Sequence, residues 1–202
     1  MNTPVNLRSA TVADAPALHR LIADNLEIGH LLPRSLDDLE RNAPRFLVAD
    51  VGNAVVACAE LAPLGDTVAE VRSLVVHEAY RGGGIGSRLV EHIADSANER
   101  GFSTLCAFTH APAPFVRLGF SIVPHTWVPE KIAHDCTSCP LFRRCGQYAV
   151  TLMLRAGVSL RPQQPAAVIY APRAAAPRKP HVERLHLQPV MEPARRKEPV
   201  PA

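Results

Sequence analysis

The chain predicts an α/β fold, and three observations carry that prediction. Segments that read as strands alternate with segments whose apolar residues recur at helical spacing, a glycine-rich stretch joins one of each, and a 47% hydrophobic content in 202 residues suffices for one core. The glycine stretch is Arg81-Gly82-Gly83-Gly84-Ile85-Gly86, set between the apolar run Leu74-Val75-Val76 and an amphipathic segment from Ile85 to Arg100.

In chain order, Asn6 to Ala10 reads as an opening strand. Asp14 to Leu26 reads as a helix whose Ala15, Leu18, Ile22 and Leu26 share a face. Ser35 is placed to cap a short second helix, with Asp37 and Asp38 near its start, where the helix dipole favours acids. A meander follows. Phe46 to Asp50, Ala54 to Leu61 and Val68 to Val76 read as strands, separated by Gly52-Asn53 and by a turn from Pro63 to Gly65. In the next helix Ile85, Leu89, Ile93 and Ala97, with Val90 and Ala94 beside them, form the apolar side, and Gly101 supplies the stop. Thr104 to Phe108 is a short buried strand, Pro114 to Leu118 a short helix and Tyr148 to Leu154 a last strand. From Arg155 onward proline, alanine and arginine dominate. Residues 157–202 are therefore expected to be a disordered tail, too poor in apolar residues to offset the entropy of ordering, and residues 1–156 to form the one folded domain.

Composition narrows the function. No apolar run reaches transmembrane length, and the first residues lack a basic segment followed by an apolar one, so a soluble cytoplasmic protein without a membrane partner is expected. The formal net charge of +3 sits largely in the C-terminal tail rather than on a periodic face, which argues against nucleic acid.

The glycine stretch carries the chemistry. Glycine lets a backbone approach a ligand closely, and the first N–H groups of the helix behind it lack intrahelical acceptors and point toward an anion, so a pyrophosphate suits the place. A purely structural strand-to-helix turn is the other reading of glycines alone. Two nucleotide loops fail against the letters. Gly86-Ser87 lacks the lysine of a Walker loop, and a dinucleotide fingerprint would need a strand early in the chain, a later third glycine and an acid ending the next strand, whereas this turn follows several earlier elements.

Arg81, Gly84 and Gly86 instead match the R/Q-x-x-G-x-G/A loop that holds acyl-CoA in the Gcn5-related N-acetyltransferase superfamily, which positions 5 to 155 resemble. Phe115-Val116-Arg117-Leu118-Gly119-Phe120 matches that family's short helix ending in Gly-Phe. The resemblance implies a mixed, mostly antiparallel central sheet with helices on both faces, splayed at an acetyl-CoA site. It implies contacts to the co-substrate from Leu74, Val75 and Val76 and from Arg81, Gly82, Gly83, Gly84, Ile85, Gly86 and Ser87. A homodimer is the common state in the family. Within it, Glu70 to His77, Val128-Pro129-Glu130-Lys131-Ile132, Asp135-Cys136-x-x-Cys139-Pro140 and Pro33-Arg34-Ser35 resemble short, single-domain N-acetylglutamate synthases. The implied reaction is acetyl transfer from acetyl-CoA to the α-amino group of an amino acid, L-glutamate above others, at the start of arginine biosynthesis. Another small amine, a protein N-terminus, or a non-catalytic CoA-binding sensor are the alternatives.

Such a transfer needs a neutral amine, hence a proton acceptor. Glu70 lies before Arg81 by the interval at which family members place a glutamate base; an ordinary exposed strand residue is the other reading, and Glu60 is a rival. The tyrosine that many members use to protonate the thiolate is replaced by Phe115, which has no proton to give, so the acid stays unassigned. A dicarboxylic acceptor calls for cations, and Arg34, Arg72 and Lys131 are the candidates for binding it. Arg72 stands in an apolar strand and needs a partner there, either substrate or Glu60. Of five cysteines, Cys58 and Cys106 read as apolar strand residues. Cys136, Cys139 and Cys145 with His134 are open to two readings, a Cys3His zinc knuckle or a reduced turn, and no residue is assigned to a metal.

Overall fold

A computed structural model describes residues 4–29 and 31–155. The tail expected at 157–202 lies outside the described residues. The first strand, β1 (Asn6–Ser9), leads through a 3₁₀ turn into helix α1 (Ala15–Ala23), a short α2 (Leu26–Gly29) and α3 (Leu36–Asn42). Strands β2 (Phe46–Val51), β3 (Ala54–Pro63) and β4 (Val68–Val76) form the meander, and helix α4 (Ile85–Glu99) crosses over to β5 (Thr104–Thr109). Then come α5 (Ala113–Arg117), β6 (Ser121–Val123), α6 (Pro129–His134) and β7 (Tyr148–Met153).

Among the described residues seven strands form one sheet in the order β1-β2-β3-β4-β5-β7-β6. Its pairs are antiparallel except β4 with β5, which are parallel because a helical crossover joins them. That parallel pairing is brief. It runs Val68↔Thr104, Ala69↔Leu105 and Glu70↔Cys106, and β4 then continues to Val76 paired only with β3. The mixed, mostly antiparallel sheet and its parting at β4 and β5 agree with expectation.

The pleat sends alternate side chains to opposite faces. On one face Ala57, Ala59, Leu61, Ala69, Val71, Leu105 and Val150 pack against Ile85, Leu89, Val90, Ile93 and Ala97 of α4. On the other, Val48, Cys58 and Val75 meet Leu18, Leu21, Ile22 and Leu39 of α1 and α3, and farther along the sheet Val68, Cys106 and Ala149 meet Val123 and Val128 beside α6. Glu60, Glu70 and Arg72 follow the parity of this second face. They occupy the gap between its two apolar clusters.

Local signals explain most boundaries. Ser35 Oγ accepts from the Asp38 N–H at 3.2 Å and caps α3. Gly101, at φ +91°, ends α4, with its N–H donating to Asn98 O and that of Phe102 to Ala97 O, both at 3.0 Å. Gly119 and Phe120 end α5 by the same pair of bonds, which is the backbone reason for a Gly-Phe pair there. The helix expected from Asp14 to Leu26 is interrupted. It stops at Ala23, and the buried Asn25 side chain donates to Leu21 O at 2.8 Å, a polar side chain competing for a helix carbonyl. Strand β6 and helix α6, short and without clear periodicity, were not foreseen as elements.

Leu89 is fully buried at the centre of the α4 face. Leu89→Ala is expected to cost about 3 kcal/mol of stability, measured by urea unfolding with an unchanged m value; a loss under about 1 kcal/mol would mean that the core beneath α4 collapses freely around the gap.

Candidate active site

Where β4 leaves β5, a cleft of about 610 Å³ opens, lined along β4 by Leu74, Val75 and Val76 and across from them by Arg81, Gly82, Gly84, Ile85, Gly86 and Ser87. Pro114, Phe115 and Leu118 of the α5 region close another side. The glycines have distinct roles. Gly82 and Gly84 hold φ of +80° and +77°, and a Cβ on either would meet no protein atom within 4 Å, so both the backbone conformation and the open space above it depend on glycine. Gly84 caps α4, whose first turn points its N–H groups toward the loop. Gly83 does not line the cleft.

Arg81 ties this loop in place. Its Nε donates to Val76 O at 2.9 Å and its Nη2 to Asn25 Oδ1 at 2.7 Å, so the loop is fixed to the end of β4 and to the α1–α2 break. Asn25, which holds the loop through this bond and also lines the cleft, is a residue that sequence reasoning missed. The available signal was an asparagine in the last turn of an amphipathic helix, a place that favours stopping it. Phe115, at the position of the absent tyrosine, is buried edge-on against Phe120 with ring centroids 5.3 Å apart.

On the sheet face opposite α4 lies a row of charges. Glu70, 3% exposed, belongs to the last residue pair joining β4 to β5. Arg72 donates to its Oε2 from Nη2 at 2.9 Å and from Nε at 3.1 Å, and Lys131 Nζ reaches Oε1 at 2.7 Å and Oε2 at 2.8 Å. Asp135 closes the array, with its Oδ2 accepting at 2.7 Å from both Arg72 and Lys131. Helix α6 brings this about by placing Lys131 and Asp135 one turn apart and facing the sheet. Arg72 is thus paired with Glu70 and Asp135 and not with Glu60, the protein partner expected for it. Glu60, 1% exposed, belongs instead to Arg34, whose Nη1 donates to its Oε2 at 2.8 Å while Nε donates to Asp38. Glu70 is thus not the exposed strand residue of its other reading.

Protonation follows from the pairing. Burial alone would lower Lys131, yet the Glu70 charge and the hydrogen bonds to Asp135 and Glu70 outweigh it and raise its pKa, so Lys131 is an ammonium and no base. Burial would raise Asp135, but hydrogen bonds from Lys131 and His134 and the charge of Arg72 hold it at about 2. Cys106, paired with Glu70 across the strands, is pushed well up by burial and then by the Glu70 charge; it is a neutral thiol. Cys58 is pushed up to about 12 by burial. Among the described residues no group of three or more His, Cys, Asp or Glu side chains is placed to hold a metal ion, and His134 Nδ1 is 2.8 Å from Asp135 Oδ1.

Since the folded pKa of Asp135 lies below its unfolded value, its stabilisation is present above about pH 4 and is lost as the pH falls toward 2. Asp135→Asn should flatten that stretch of the acid-unfolding curve, followed by far-UV circular dichroism; an unchanged curve would detach Asp135 from the array.

The sequence of residues 15–120 matches the Acetyltransferase (GNAT) family. An uncharacterized N-acetyltransferase of Chlorobaculum tepidum is 33% identical over 148 residues, covering 73% of this chain and 96% of its own length. An amino-acid acetyltransferase of Pseudomonas putida is 38% identical over 112 residues, 55% of this chain; the match spans 26% of that relative's length. Among solved structures, N-acetylglutamate synthase from Neisseria gonorrhoeae, complexed with coenzyme A and N-acetyl-glutamate, superimposes with a TM-score of 0.67 at 27% identity, over 77% of this chain and 36% of that one. A Mycobacterium tuberculosis protein in complex with CoA and NLQ shares the fold, with a TM-score of 0.65 at 23% identity over 74% of this chain and 99% of that one. Among the described residues no helix is long and apolar enough to cross a membrane. With a splayed sheet, a glycine loop opening α4 and this match over half its length, the chain belongs to the GNAT family of acetyltransferases, and its co-substrate is acetyl-CoA.

Proposed function

We propose that the chain transfers the acetyl group of acetyl-CoA to the α-amino group of an amino acid, L-glutamate being the favoured acceptor, and so serves the entry to arginine biosynthesis in the cytoplasm as a homodimer. Residues 1–156, the cysteine segment included, are the catalytic domain in this reading. The observation that carries it is the array of Glu70, Arg72, Lys131 and Asp135 beside the parting of β4 and β5. Its charges alternate in sign within hydrogen-bonding distance, the complement of a zwitterion that brings one ammonium and at least one carboxylate. The names of the Pseudomonas and Neisseria relatives support the same class of acceptor.

Each residue then has a task. Leu74 to Val76 and the Arg81–Ser87 loop hold the co-substrate, the loop and the first turn of α4 facing its pyrophosphate. Arg72 and Lys131 meet the acceptor's carboxylates. As they turn toward the substrate, Glu70 is released from its cations and takes the ammonium proton, leaving the neutral amine to attack the thioester carbonyl; the C–S bond breaks, and the proton that the new amide nitrogen sheds passes to the departing thiolate, which leaves as the CoA thiol. Asp135 holds both cations in reach. Direct transfer suits a site whose strand cysteines, Cys58 and Cys106, are neutral buried thiols rather than nucleophiles.

CoA release from acetyl-CoA, measured against a panel of amino acids and amines with the product identified by mass, tests the reading. Preference for glutamate is expected; turnover only with other amines would discard that acceptor, and CoA binding without turnover would make the protein a sensor. Glu70→Gln should lower kcat on the order of a hundredfold or more with CoA affinity retained. Gly84→Trp should abolish CoA binding, by calorimetry, because its side chain fills the turn and its φ of +77° resists any Cβ.

A further inference from the structure

Arg34 holds a place the acceptor reading does not explain. Besides Glu60 and Asp38, its Nη1 donates at 3.2 Å to Oγ of Ser73. Ser73 is a β-bulge residue. The register between β3 and β4 runs Glu60↔Arg72 and then Cys58↔Val75, so Ser73 and Leu74 together stand opposite Ala59. Ser73 also has φ +51°; Asn53, the other non-glycine at positive φ among the described residues, sits in a tight turn, whereas Ser73 lies within a strand. The Ser73 carbonyl accepts from the Cys58 thiol at 3.5 Å.

The bulge decides which way β4 faces. Before it, Ala69 and Val71 point into the α4 core; after it, Leu74 and Val76 do, and Val75 joins the α1–α3 cluster. Without the extra residue the parity would stay in step and each of these side chains would face the opposite way, carrying the cleft-lining backbone with it. We propose that Arg34 is a positioning residue for the acyl donor. By binding Glu60 on β3 and Ser73 on β4 at once, it clamps the bulge in its left-handed conformation and fixes the backbone of Leu74–Val76 toward CoA. The inference concerns CoA alone and does not rest on the identity of the acceptor.

Calorimetric CoA titration without acceptor tests it, on the parent, Arg34→Ala and Arg34→Lys, each with and without Ser73→Gly. Loss of the clamp should weaken CoA about tenfold or more. Lysine should not replace arginine, since one ammonium lacks the fork that spans these acceptors. Ser73→Gly should restore affinity in both backgrounds to within about threefold of the parent, because glycine holds positive φ unaided. Unaltered CoA affinity in Arg34→Ala, with a raised KM for the acceptor, would make Arg34 an acceptor ligand and overturn the proposal. A loss that Ser73→Gly fails to restore would overturn it as well, leaving only a general structural role. Should Arg34→Ala not fold, the Arg34→Lys pair carries the comparison.

Discussion

The brevity of the parallel pairing between β4 and β5 is the constraint on which the site depends. Strands that stay hydrogen-bonded leave no room for a ligand, whereas strands that part expose backbone polar groups that need new partners. Here pairing ends at Glu70↔Cys106, while β3 continues to support β4 as far as Val76. The sheet therefore stays stiff beside the cleft it opens. Helix α4 secures the arrangement from one face, since the same apolar side that buries Leu89 and Ile93 also anchors the glycine loop at its N-terminus.

Charge is confined to the other face. Seven ion-paired side chains, Arg34, Asp38, Glu60, Glu70, Arg72, Lys131 and Asp135, line the gap between two apolar clusters. A buried charge is costly unless it is paired and hydrogen-bonded. The two buried glutamates meet that condition through different cations, Glu60 through Arg34 and Glu70 through Arg72 and Lys131. Such pairs add little net stability. What they supply is a fixed pattern of sign and geometry in a place that water screens poorly.

Much of this was legible in the letters. The glycine stretch, the helical spacing after Ile85 and the stop at Gly101 are local signals, and the elements they imply are present within a residue or two. Ser35 and Gly119 likewise act through their own turns. What the letters concealed is non-local. Nothing in the spacing of Arg72 shows that its partners are two residues away on the same strand and 63 residues away at the end of α6. Arg34 was visible as a cation near the first helices, but the carboxylate and hydroxyl it joins lie on β3 and β4. Asn25 and Ser73 carried no periodic signal, because one acts by interrupting a helix and the other by interrupting a strand.

The pleat of β4 also bears on how such a chain diverges. Ala69 and Val71 belong to the packing against α4, while Glu70 and Arg72 between them belong to the charged gap. A lineage can therefore exchange one set without disturbing the other. If the charged gap is the acceptor site, as proposed, new acceptor chemistry would be drafted at the alternate positions, and at Lys131 on α6 and Asp135 at its end, over a donor half that inheritance leaves intact.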